Sequence, residues 1–93
     1  MRATDVRFKA AESHQIRDGL LGWASFVLGE TVRLDGVAVR RTRDGRLVLS
    51  FPSRRDRRGR EHYLVAPIDN AARLDIERQV LAALPGSIEE VRT

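Results

Sequence analysis

The sequence predicts an α+β fold: an antiparallel β-meander of about five strands, then one C-terminal helix packed on the sheet, with subunits pairing through sheet edges. Three observations carry this. The first two-thirds of the chain alternates apolar and polar residues at period two. Turn signals punctuate those runs at Asp18-Gly19, Gly29-Glu30, Asp35-Gly36 and Asp44-Gly45. After Pro67 the apolar spacing changes to the helical period.

Each element can be justified in turn. "TDVRFKA" sets Val6 and Phe8 against Asp5, Arg7 and Lys9, the pattern of a half-buried strand. "ESHQIRDG" is polar and reads as a loop closed by a turn. "LLGWASFVL" alternates Trp23, Ser25 and Val27 with Ala24, Phe26 and Leu28. "TVRLDGVAVRR" is a third strand, with Asp35-Gly36 as a bulge or bend. "TRDGR" is a tight turn, and "RLVLSF" places Leu47, Leu49 and Phe51 on one face. An arginine-rich turn leads to "EHYLVAPI", and Pro67 ends the strand series because it cannot donate to a ladder. In "DNAARLDIERQVLAALPG", Asp69 or Asn70 is the N-cap and Pro85-Gly86 the stop. Ala72, Ile76, Val80, Ala83 and Leu84 form one apolar stripe, Leu74 and Leu81 a lesser one.

Ninety-three residues fit a single domain, 1–93, with a core over about 3–84 and a loosely held tail over 85–93. A chain this short buries only about 60–65% of its unfolded surface. It has no cysteine to supply disulfides or a thiolate metal site, so self-association is the expected support. The longest mostly apolar run, "LLGWASFVLG", is about half of the ~20 residues a membrane span needs. It lies after Arg17 and Asp18, too far in for a signal sequence. The cytoplasm, with no membrane partner, is the expected location.

The formal charge is +4, and it is unevenly placed. Residues 40–60 hold nine arginines and two acids, a local +7 that leaves −3 for the other 72 residues. Sixteen arginines against one lysine, in a chain rich in Ala, Leu, Val and Gly, is the pattern of GC-rich coding. Such coding does not explain the clustering.

No enzymatic constellation is present. His14 and His62 are 48 residues apart with no metal-ligand pattern around them, and no serine has a nucleophile-elbow context. Asp69, Asp75 and Glu77 read as helix-dipole residues and as partners for Arg73 and Arg78. No catalysis, cofactor, metal or small-molecule substrate is expected.

The arginine turn is the one feature with a physical argument for function. Arg54, Arg55, Arg57, Arg58 and Arg60 fall within seven residues. Guanidinium forks bind phosphates with paired hydrogen bonds and stay charged at every relevant pH. A polyanion offsets their mutual repulsion and releases its counterions on binding. Tyr63, and His62 beside it, could stack on a base. Arg40, Arg41 and Arg43 would widen the basic surface. Meander turns alternate ends, however, which sets the turn at Arg43 opposite the turn at Arg58 within one subunit. Two other readings stay open: a solvated turn that keeps sheet edges from pairing, and a dock for an acidic protein.

These residues also resemble the SpoVG family, the bacterial stage V sporulation and septation regulators. "ATDVRF" is similar to the family's opening strand, and Ala24, Ser25 and Leu28 match its second. The most specific stretch is "GRLVLSFPSRRDRRGREHYLVAPI", where Pro52, Ser53, Arg54, Arg55, Gly59, Pro67 and Ile68 fall on the family pattern. Asn70, Arg73 and Ile76 follow at its helix start. The chain departs from the pattern in a longer first loop, in "VRLDGVAV" without the family's histidine, in Ala66 before Pro67, and in a tail with little acid. The resemblance implies a homodimer that extends its sheet. It implies a regulator that binds DNA and, in some members, RNA, with the helix start, and so Arg73, shaping recognition. Links to septation, sporulation or virulence-gene control come from the resemblance alone.

Overall fold

The structure, a computed structural model, describes residues 1–84. The tail expected over 85–93 and the Pro85-Gly86 stop lie outside the described residues. Four antiparallel strands form the main sheet in sequence order: β1 (Ala3–Ala10), β2 (Leu20–Leu28), β3 (Val32–Arg41) and β4 (Leu47–Ser50). A second, two-stranded ribbon joins β5 (Ser53–Arg55) to β6 (Glu61–Tyr63). Helix α2 (Asn70–Ala82) packs on one face of the main sheet.

The α+β reading holds, with two differences of detail. The polar segment before Asp18-Gly19 is a single helical turn, α1 (Ser13–Arg17). The Gln15 side chain accepts from the Glu12 N–H at 3.0 Å and so satisfies one of the free donors of its first turn. The second difference lies after β4. "RLVLSF" and "EHYLVAPI" do not pair as one long hairpin. The chain leaves the sheet at Phe51-Pro52, and only residues 53–55 and 61–63 pair. A bond from the Leu64 N–H to the Pro52 carbonyl, 2.9 Å, closes the ribbon base.

The bulge expected at Asp35-Gly36 is present. Ala24 pairs with Val37 but Phe26 pairs with Leu34, so Asp35 and Gly36 oppose Ser25 alone. Gly36 takes φ +67°, where a side chain is disfavoured. A second register shift between Thr4 and Arg7 puts Asp5 at φ +49°. At Gly22 the strands come so close that a Cβ would stand 2.3 Å from the Lys9 carbonyl, so only glycine fits.

The core lies between the sheet and α2. Leu21, Ala24, Phe26, Leu34, Val37, Val39, Leu49, Phe51 and Val80 are buried in it, with Val6, Phe8 and Ile76 packed against them. The alternation expected on β2 holds: Ala24, Phe26 and Leu28 face the helix. On α2, Asp69 is the N-cap, its carboxylate accepting from the Ala72 N–H at 2.8 Å. Leu81 packs on the core, while Leu74 is 54% exposed.

Two polar side chains of α2 reach both edges of the sheet. Gln79 Oε1 accepts from the Ala3 N–H of β1 at 2.8 Å, and its Nε2 donates to the Met1 carbonyl. Glu77, 7% exposed, accepts from the Leu49 N–H of β4 at 2.9 Å. Leu49 pairs with Val39 on its other side. The helix thus occupies a donor on each edge strand that would otherwise lack a partner.

Candidate nucleic-acid interface

Two turns of the chain share one construction. In the first, the Gly45 N–H bonds the Thr42 carbonyl and the Thr42 N–H bonds the Arg46 carbonyl, with Gly45 at φ +87°. In the second, the Gly59 N–H bonds the Asp56 carbonyl and the Asp56 N–H bonds the Arg60 carbonyl, with Gly59 at φ +80°. Each is a tight turn ending in a left-handed glycine. The sequences are "TRDGR" and "DRRGR".

Their charge differs where their backbone does not. In the first turn Asp44 accepts from the Thr42 hydroxyl and pairs with Arg46 at 3.1 Å. In the second, Arg58 stands where Asp44 stands in the first. The acid there, Asp56, is used internally. Its Oδ1 accepts from the backbone N–H groups of Arg58 at 2.8 Å and Arg60 at 3.0 Å. Its Oδ2 is hydrogen-bonded to His62 Nε2 at 2.8 Å. The His62 bond, then those from the Arg60 and Arg58 backbone, hold the Asp56 carboxyl below its ordinary pKa.

The consequence is a rigid tip with unneutralised guanidiniums. Arg55 Nη1 donates to the Gly59 carbonyl at 3.0 Å, which braces the turn. Arg54, Arg57, Arg58 and Arg60 are exposed, and among the described residues no carboxylate pairs with their side chains. Arg54 sits opposite His62, and Arg55 opposite Glu61. Arg54, Arg55, Asp56, Arg57 and His62 line a concavity on the ribbon.

The other expected residues divide by place. Tyr63 is exposed at the ribbon base and shares a hollow of about 450 Å³ with Arg73, Asn70 and the edge of β4. Arg40 shares a second hollow with Ser53, Glu61 and Tyr63. Arg73, Tyr63 and Arg40 are therefore gathered around the ribbon. Arg43 is not: β4 separates its turn from the ribbon, so Arg43 and Arg57 lie at opposite ends of that strand. Arg41 closes β3 beside the same far turn, its backbone N–H bonded to the Gly19 carbonyl.

Arg73 is only loosely tied to Glu77. Its Nη1 is 3.9 Å from Glu77 Oε2, the same oxygen that accepts from Leu49. The Arg73 side chain remains 46% exposed. Glu77 itself is buried and anchors the helix, a role that its place beside Arg73 and Arg78 in sequence does not suggest. The pair expected nearby is made by Asp75 and Arg78, at 2.5 Å.

Past the ribbon, "LVAPI" runs over the surface. Leu64 is 61% and Ile68 93% exposed, beside half-exposed Val65. Among the described residues no three His, Asp or Glu side chains gather as a metal site, and no helix is long and apolar enough to cross a membrane.

Comparison with known families gives a match to the SpoVG family model over residues 1–85. No curated protein matches the chain.

Proposed function

The chain belongs to the SpoVG family, and from that premise we propose that it is a homodimeric, non-catalytic regulator that grips the phosphates of DNA, and of RNA, with its β5–β6 ribbon. Family membership supports a regulatory protein of the sporulation and septation class. One observation carries the finer reading. The chain builds the same turn twice, once with Asp44 paired to Arg46 and once with arginines that no acid among the described residues pairs. The turn's backbone therefore does not need arginine at position 58, where the first turn has Asp44. The repulsion among the arginines is a cost that a bound polyanion removes. Tyr63, Arg73 and Arg40 border the same region, where bases would lie once the backbone is held.

Self-association rests on the exposed apolar segment. Leu64, Val65 and Ile68, and Leu74 on α2, present large side chains to water in one subunit. A second copy offers the matching surface under two-fold symmetry. Such a dimer would present two ribbons to one nucleic acid.

A salt titration of binding to duplex DNA tests the reading. Affinity should fall linearly in log–log form, with a slope of about −4 to −5 for roughly 4–6 phosphate contacts. Affinity independent of salt would overturn it.

A further inference from the structure

The face of the sheet turned away from α2 is bordered by the β5–β6 ribbon, which shares a hollow with Ala38, Arg40 and Ser50. One row across it runs Lys9, Trp23, Ala38, Ser50, one residue from each strand. Trp23 is the chain's only tryptophan and is not among the residues packed on the core. It borders a shallow hollow of about 430 Å³ together with Arg7, Lys9, Ser25 and the acid Asp35. Ser25 accepts from Arg33 Nη1 at 2.9 Å, and Arg33 and Arg7 share the Asp5 carboxylate. The side chains of Lys9 and of Arg40, on the neighbouring row, make no hydrogen bond or ion pair among the described residues. The chain's largest aromatic ring is thus partly exposed in the middle of a face carrying four cations and two acids, Asp5 and Asp35.

We propose that this open face is a stacking platform for an unpaired base of single-stranded nucleic acid, with Trp23 against the base and Lys9 and Arg7 at the flanking phosphates. The inference rests on the nucleic-acid reading above and adds a second surface to it. An aromatic side chain within a cationic groove is the combination that holds single strands, because every base has a ring face to stack. Duplex DNA cannot use it, since its bases are already stacked and paired. A second copy fits poorly, because symmetric pairing through this face would set four cations, offset only by Asp5 and Asp35, against the same excess of positive charge. The ribbon would hold backbone of either kind, and the sheet face would select the unpaired form.

The single tryptophan makes the test direct. A labelled oligothymidylate of about 15 nucleotides, long enough for one such site, is titrated into the full chain. Label anisotropy and Trp23 emission are followed together. Binding should quench Trp23 emission along the same curve as the anisotropy, while a duplex of equal length binds without quenching. Trp23→Ala should weaken oligothymidylate binding about ten-fold, the size of one lost stack. Trp23→Phe, which keeps a ring, should restore most of it. If Trp23→Ala fails to fold, the wild-type emission and the Phe variant decide. Saturating anisotropy with unchanged emission overturns the stacking platform and leaves the ribbon grip standing. Equal quenching by the duplex or by polyglutamate also overturns it. No binding by any nucleic acid overturns both this inference and the reading beneath it.

Discussion

Glu77 Oε2 lies 2.9 Å from the backbone nitrogen of Leu49, 28 residues earlier in the chain. A buried carboxylate thus completes the outer edge of β4. Glu77→Ala leaves the Leu49 N–H buried without a partner, and that costs about 1–3 kcal/mol. Glu77→Gln keeps an accepting oxygen and should cost less. Urea denaturation of the two variants checks the order, and equal losses would mean that packing, not the bond, matters here.

The phosphate grip predicts a defined change in salt dependence. Replacing Arg54, Arg55, Arg57 and Arg58 together with glutamine should cut the slope by at least half, from about −4 to −5. Folding should survive, because these side chains are exposed and make no core contact, and the loss of the Arg55 bond to Gly59 is confined to the tip. Circular dichroism confirms the fold while binding is titrated. Were the arginines a solubility device instead, the slopes would match and the variant would aggregate more readily.

Arg73 separates recognition from structure. If it reads bases, Arg73→Ala should flatten the preference between a favoured and a random site, at about 1–3 kcal/mol on the favoured one. Its 3.9 Å approach to Glu77 predicts a stability loss of at most ~0.5 kcal/mol. Competition binding, read beside thermal unfolding, gives both numbers.

Asp56 makes the ribbon sensitive to acid. Its folded pKa lies below the ordinary 3.8, held there first by His62 and then by the Arg60 and Arg58 backbone. A depressed carboxyl contributes stability that is present above the unfolded pKa and lost as pH falls through the folded value. The tip should therefore stay ordered above about pH 4 and loosen below it. Amide exchange of Arg58 and Arg60 reports this directly. Asp56→Asn should raise their exchange at neutral pH as well, since the amide is a weaker acceptor for both N–H groups.

The dimer interface predicts a mass. Light scattering at micromolar concentration should give twice the 10.5 kDa of one chain. Ile68→Asp with Leu64→Asp should give monomer, because both side chains are exposed and their loss leaves the core intact. A double variant that remains dimeric would place the interface elsewhere.

Much of this fold was legible because its signals are local. Asp35-Gly36 marks a bulge since glycine takes a positive φ at the least cost, and Asp69 marks the helix start since its carboxylate meets a free N–H. The alternation on β2 shows which face is buried. α1 was missed because five residues are too short for periodicity; the Glu12 and Gln15 spacing was its one available signal. "YLVAPI" reads as a strand because its residues favour one, yet among the described residues its strand pairing stops at Tyr63, closed by the Leu64 bond to Pro52. The site was legible as a charge cluster. The use of Asp56 and the burial of Glu77 were not, because a carboxylate's partners are set by residues that the fold brings to it.

The straps from α2 to the sheet also bear on synthesis. Ala3 waits for Gln79, and Leu49 waits for Glu77. A ribosome will have passed residue 77 before either edge can close. Until then the nascent sheet offers open donors at both flanks. A product truncated just ahead of Glu77 would keep both flanks permanently open, one for degradation machinery to clear.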